Sequence, residues 1–128
     1  FPTPSAIADA SPEALPGGPA RRRHTLQALA RLLADGELAI DPGSDREEVR
    51  ARLLALPGIG PWTADYIAMR ALSDPDAFLP TDLGVRRALE RISRADGCSP
   101  REVARLAERW RPWRAYALQH LWGSLGDN

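Results

Sequence analysis

The five residues Pro57-Gly58-Ile59-Gly60-Pro61 hold two glycines and two prolines, with apolar helical patterns on either side. Read physically, one helix ends at Leu56, the chain turns through Gly58 and Gly60, and a second helix opens at Pro61, where a missing N–H costs nothing. Glycines at these places let the backbone approach a ligand closely and reach positive φ. The helix behind them presents first-turn N–H groups and the positive end of its dipole. The turn can therefore hold a phosphate-sized anion without any Lys or Arg. The same spacing also describes a tight turn between two packed helices. Trp62 and Tyr66 are four residues apart and share one face of the second helix, either as core rings or as rings facing a ligand. Further on, Thr81 and Asp82 stand where another helix begins, and both residue types suit an N-cap.

Residue types also exclude chemistry. All seventeen basic residues are arginine, so no side-chain ε-amine is available for Schiff-base catalysis. Cys98 is the only cysteine, which removes intrachain disulfides and four-cysteine metal centres and fits a reducing, cytoplasmic setting. His24 and His120 are too few, without cysteine partners, for a zinc site. The acids Asp74 and Asp76 read as loop residues, and Asp65 as a helix residue next to Tyr66.

The elements that must position these residues are all helices. Ser11-Pro12-Glu13 reads as a cap with proline at the first helical position. Pro19 to Asp35 carries Leu26, Leu29, Ala30 and Leu33 at helical spacing and stops at Gly36. Ser44 with Glu47 predicts a capping box for a helix bearing Val49, Leu53 and Leu54. The hairpin helix runs from Pro61 to Leu72, and a loop follows from Ser73 to Pro80. A helix from Asp82 to Ser93 shows Val85, Leu89 and Ile92 on one face, and Ser99 with Glu102 forms another capping box. Pro112 is expected to open the last helix, with Trp110 and Trp113 as anchors packing the final elements together. No alternating stretch of β-branched residues predicts a strand. With 128 residues, 44% of them hydrophobic, the chain reads as one all-α domain of about seven short helices.

The segment Leu54-Ala55-Leu56-Pro57-Gly58-Ile59-Gly60-Pro61-Trp62-Thr63-Ala64 resembles the helix–hairpin–helix of DNA-binding proteins. Leu79-Pro80-Thr81-Asp82 falls about twenty residues downstream, as the Pro-x-Asp of the helix–hairpin–helix DNA glycosylase superfamily does. Trp110-Arg111-Pro112-Trp113-Arg114-Ala115-Tyr116-Ala117 and His120-Leu121-Trp122 are similar to the last helix of AlkA-type 3-methyladenine DNA glycosylase II, and Phe1-Pro2-Thr3-Pro4 also resembles a segment of that family. The resemblance covers essentially the whole chain, in order. It implies that residues 1–128 are the C-terminal portion of such a domain, hairpin at about 54–64. In that family Phe-Pro-Thr-Pro lies well inside the protein, so an N-terminally truncated fragment is expected.

The resemblance further implies a monofunctional glycosylase of base excision repair, acting on alkylated purines such as N3-methyladenine and N7-methylguanine. Asp82 matches the catalytic carboxylate, while its other reading stays an N-cap; one residue can do both. Trp62, Tyr66 and Trp122 match base-pocket aromatics, whose electron-rich rings suit a cationic base. Gly58, Gly60 and Thr63 match the phosphate-binding positions, and the backbone carbonyls of Leu54, Leu56 and Ile59 those that hold a monovalent cation, sodium or potassium. No cofactor is otherwise implied. Trp62 stands where lyase members of the superfamily carry their lysine. Double-stranded DNA with an alkylated base is the implied partner, with a monomer acting on it and no membrane involved. The alternative from a different class is a non-catalytic helix–hairpin–helix module that only binds DNA within a larger protein.

Charge gives a weaker signal. Seventeen acids balance the seventeen arginines, yet Gly84 to Tyr116 holds nine arginines (Arg86, Arg87, Arg91, Arg94, Arg101, Arg105, Arg109, Arg111 and Arg114) against four acids, and Arg21, Arg22 and Arg23 form a second cluster. Some of these are expected to track phosphates. Most are expected on solvated faces, and Arg114 among aromatics reads as half of a buried ion pair.

Overall fold

The computed structural model describes residues 1–16, 18–93 and 97–126. Among these the regular structure is entirely helical: seven α-helices and two short 3₁₀ turns. The chain divides into two compact units, Phe1–Ala64 and Asp65–Asn128. No helix among the described residues is long and apolar enough to cross a membrane.

The first unit opens with α1 (Pro4–Asp9), an element the sequence patterns did not predict. The Thr3 hydroxyl accepts the Ala6 N–H at 3.2 Å, and Pro4 takes the first helical position. Ser11 was read as the cap of a helix, but only a 3₁₀ turn forms, Pro12–Ala14. Leu15 precedes Pro16, which drives it to extended backbone and stops the turn. Helix α2 (Ala20–Ala34) packs against α1 and buries Ile7, Ala8, Leu15 and Ala30 in one cluster. Gln27, itself buried, donates to the Ala10 carbonyl at 2.8 Å and ties the two helices. Gly36 ends α2 at φ +72°, as its position predicted.

Helix α3 (Arg46–Ala55) is capped one residue later than expected. The Asp45 carboxylate, not the Ser44 hydroxyl, accepts the Glu48 N–H at 2.9 Å. Ser44 instead donates to the Ala39 carbonyl and accepts the Asp41 N–H, which closes the preceding loop. Helix α4 (Pro61–Ala71) begins beyond the hairpin and continues into the second unit.

In the second unit, α4 ends where Asp74 N–H returns to the Ala68 carbonyl at 3.1 Å, with Ser73 held at φ +53°. Helix α5 (Leu83–Ser93) packs on α6 (Pro100–Ala107) and α7 (Arg114–Gly126), and Leu72, Leu79, Val85, Val103 and Leu118 are almost fully buried. The Ser99–Glu102 capping box forms as predicted. Pro112 does not open the last helix; α7 starts two residues later, at Arg114. That offset overturns one expectation. Trp113 now stands just outside the helix, its carbonyl accepting the Ala117 N–H, while Ala115, Leu118 and Leu121 form the buried stripe. Trp113 is therefore 58% exposed and pairs edge-on with exposed Tyr116 rather than anchoring a core. Trp110 does anchor, set against buried Phe78 at 6.0 Å between ring centroids.

Candidate active site

Two constellations carry the predicted site residues, one in each unit. The first is the turn at Leu56-Pro57-Gly58-Ile59. Ile59 N–H donates to the Leu56 carbonyl at 3.1 Å, and Gly58 sits at φ +96°. Proline at the second position and a positive-φ glycine at the third make this a type II turn. Thr25 on α2 packs directly against it: its hydroxyl donates to the Pro57 carbonyl at 2.7 Å. A Cβ on Gly58 would lie 2.3 Å from the Thr25 oxygen, so glycine is required here for space as well as for φ. Gly60 is different. A Cβ there meets open space, and its φ is not positive. Its carbonyl accepts the Ala64 N–H, so it stands at the mouth of α4 with Pro61 in the first turn and Thr63 behind it. Gly58, Gly60 and Trp62 are exposed, Trp62 by 40%, while Ile59 is buried beneath the turn.

Among the described residues, no group of three or more His, Cys, Asp or Glu side chains is placed to hold a metal ion. The carbonyls singled out in the sequence are of another kind. Leu54 lies in the last turn of α3 and Leu56 caps it, where carbonyls lack an amide four residues ahead in the helix. Leu56 spends part of its capacity on Ile59. Uncharged backbone oxygens of this sort suit a hard cation.

The second constellation surrounds Asp82. Its Oδ1 accepts the Val85 N–H at 2.9 Å, the bond of an N-cap to α5. The same oxygen accepts the Trp122 indole N–H from α7, also at 2.9 Å. Asp82 and Trp122 are each partly buried. The Tyr66 ring lies 6.3 Å from the Trp122 ring, tilted by 43°, and the Arg70 guanidinium sits 5.6 Å from the Tyr66 centroid. Helices α4, α5 and α7 thus bring three of the predicted residues together: Tyr66, Asp82 and Trp122. Sequence reasoning does not single out Gly84. A Cβ there would lie 3.0 Å from the Asp82 oxygen and 3.3 Å from the Trp122 ring, so a side chain would crowd both partners by a few tenths of an ångström. Nothing local to Gly84 signals this, because the demand comes from a ring on another helix.

A charged clamp holds the loop that leads to Asp82. Arg114 grips Asp76 with two bonds, 2.7 Å and 2.9 Å, and also reaches Glu108 at 3.1 Å. Arg111 joins Asp76 and Glu108 as well. The Ala115 N–H donates to the Pro75 carbonyl at 2.8 Å, which fastens the same loop to the start of α7. Burial pushes the Asp76 carboxyl up, but the hydrogen bond and charge of Arg114 and the charge of Arg111 outweigh it and leave the group below the usual carboxylate range. Asp76, read from sequence as a plain loop residue, is therefore a structural acid, and Arg114 forms the pair expected of it.

Other arginines of the charged stretch are also engaged within the fold. Arg86 donates to the Cys98 carbonyl and Arg91 to the Ser124 carbonyl. Arg94 and Asp96 lie outside the described residues.

Comparison with known proteins agrees on one family, although no family model matches the chain. A probable bifunctional transcriptional activator/DNA repair enzyme AlkA from Mycobacterium tuberculosis is 47% identical over 98% of the chain, which spans 25% of that protein's length. DNA-3-methyladenine glycosylase 2 of Escherichia coli is 41% identical over 98% of the chain, spanning 43% of its length. The solved structure of a Schizosaccharomyces pombe 3-methyladenine DNA glycosylase in complex with abasic DNA superposes with a TM-score of 0.86 at 27% identity, covering 95% of this chain and 62% of that one. The chain thus spans a quarter to less than half of these curated relatives.

Proposed function

We propose that the chain, similar along nearly its whole length to AlkA-type 3-methyladenine DNA glycosylases, forms part of an enzyme hydrolysing the N-glycosidic bond of alkylated purines in DNA, N3-methyladenine and N7-methylguanine among them. The observation that carries this reading is the Asp82 carboxylate, oriented through one oxygen by the Val85 amide and the Trp122 indole. A sugar losing a cationic base develops positive charge at its anomeric carbon. A fixed carboxylate beside that carbon stabilises the charge and orients the attacking water. The base leaves with the electrons of the glycosidic bond, water oxygen bonds to the sugar, and the water proton passes to the carboxylate or to solvent. The products are free base and an abasic site.

A methylated purine already carries the charge that makes it a good leaving group, so a single carboxylate suffices. Tyr66 and Trp122 supply π faces that favour such a base by ~0.5–2 kcal/mol each. We also assign Trp62 a role in contacting the base, on the family resemblance alone. The base must leave the duplex to reach these groups, at a cost of a few kcal/mol. The turn and the mouth of α4 supply the grip on the DNA backbone: the amides of Gly58, Gly60 and Thr63 face a phosphate, and the Leu54, Leu56 and Ile59 carbonyls would hold a sodium or potassium ion that would add positive charge there. With no lysine in the chain, no Schiff base forms from its side chains, and the strand is left uncut.

The test is to incubate the protein with DNA methylated on its purines and measure released N3-methyladenine and N7-methylguanine, beside an Asp82→Asn variant. Release by the wild type, lost in the variant while DNA binding persists, is the expected result. Binding without release by the wild type would overturn the reading in favour of a module that only binds DNA.

A further inference from the structure

We infer that Thr25 is a positioning residue for the DNA-binding turn, selecting the peptide orientation that presents the Gly58 amide outward; this rests on the phosphate-binding reading of the hairpin. The turn itself is open to two geometries. Type I and type II turns differ chiefly by a flip of the central peptide, here Pro57–Gly58. Proline suits the second position of either type, and glycine tolerates the third position of both. Leu56-Pro57-Gly58-Ile59 therefore admits both, with glycine at the third position favouring type II. The flip matters to function, because it reverses the direction in which the Gly58 N–H points.

The structure shows a contact from outside the turn that holds this orientation. Thr25 lies 32 residues earlier in the chain, on α2, and its hydroxyl donates to the Pro57 carbonyl at 2.7 Å. A hydroxyl has one proton, and the competing bond to its own helix, to the Arg21 carbonyl, is longer at 3.0 Å. The Pro57–Gly58 peptide is trans, so its C=O and N–H point in opposite directions. Fixing the carbonyl on α2 aims the Gly58 N–H away from α2. Meanwhile the Ile59 N–H is committed inside the turn, to the Leu56 carbonyl. The amide that the turn can offer an anion is then that of exposed Gly58, and Thr25 holds it in that direction. The contact also accounts for the strict need for glycine: the hydroxyl occupies the volume that a Cβ on residue 58 would need. Through this bond α2 preorganises the binding turn.

The experiment compares Thr25→Val, which keeps the shape and removes the hydroxyl, with Thr25→Ser, which keeps the hydroxyl. Duplex DNA affinity and the excision rate at saturating protein are both measured. A Gly60→Leu variant serves as the control for the hairpin itself, since a side chain there meets open space within the fold. We expect Thr25→Val to raise Kd about tenfold, the size of one hydrogen bond of ~1.4 kcal/mol. Thr25→Ser should restore Kd to within about twofold of wild type, and neither variant should change the saturating rate. If Thr25→Val does not fold, Thr25→Ala must show the same rise against Thr25→Ser. Loss of affinity in Gly60→Leu with none in Thr25→Val overturns the role of Thr25 and leaves the hairpin reading standing. Failure of the serine to rescue also overturns it, since packing of the methyl group would then be the cause. Unchanged affinity in all the variants refutes the hairpin reading and this inference with it.

Discussion

The hairpin and the Asp82 site solve the same problem with opposite materials. The hairpin offers backbone: the amides at Gly58 and Gly60 and the start of α4, steadied by one hydroxyl. The Asp82 site offers side chains: a carboxylate, an indole and a phenol ring, brought in by three helices. Backbone suits a repeated ligand such as a sugar–phosphate chain, which presents the same anion at every step. Side chains suit a single reacting centre, where charge must be placed within a few tenths of an ångström. The two regions should therefore fail differently. Damage to the first should weaken binding, and damage to the second should slow chemistry.

Asp82→Asn is the largest expected effect. It keeps the cap to Val85 and the size of the side chain but removes the charge, so excision at saturating protein should fall by about 10²–10⁴. Affinity for undamaged duplex, measured by fluorescence anisotropy, should stay within about twofold. Gly58→Ala comes next and breaks the other region. The positive φ costs an alanine about 1–2 kcal/mol, and the contact with Thr25 adds to it. A thermal melt should show lowered stability, and DNA affinity should fall with it.

Trp122→Phe sharpens the comparison within the second region. The ring stays and the N–H to Asp82 is lost, so the excision rate should fall by about tenfold, matching one charge-assisted hydrogen bond of ~1.5 kcal/mol, with Kd unchanged. Gly84→Ala should have an effect of the same kind, because it pushes both partners apart. The smallest effect concerns the clamp. Asp76 has its folded pKa lowered by Arg114 and Arg111, so its stabilisation is present above the unfolded value near pH 4. That stabilisation is lost as pH falls through the lower folded value. Asp76→Asn should therefore cost about 0.5–1 kcal/mol at pH 7, as a solvent-screened pair does, and flatten the loss of melting temperature below about pH 4.

These contrasts also mark what the amino-acid order reveals. The turn at Pro57–Pro61 was legible because proline and glycine act on their own backbone, and α5 and α6 were legible through their periodicity and, for α6, the Ser99–Glu102 box. The start of α7 was not. Pro112 is a good first residue for a helix, yet the helix begins at Arg114, where Arg114 and the Ala115 amide are fastened to the Asp76 loop. Trp113 was misplaced in consequence. Asp82 was legible as a cap from its own position and as a catalytic group only through a family resemblance. Thr25, Gly84 and Asp76 were silent, since what each does is set by a residue distant in the chain.

The proposed division places binding in the hairpin and chemistry at Asp82. Single-turnover excision of a methylated purine, followed across protein concentration for Asp82→Asn and Gly60→Leu, tests it most directly. Asp82→Asn should saturate at the wild-type concentration with a rate reduced by about 10²–10⁴. Gly60→Leu should instead need more protein to saturate and then reach close to the wild-type rate. Both variants losing affinity together, or both losing rate at unchanged affinity, would contradict it.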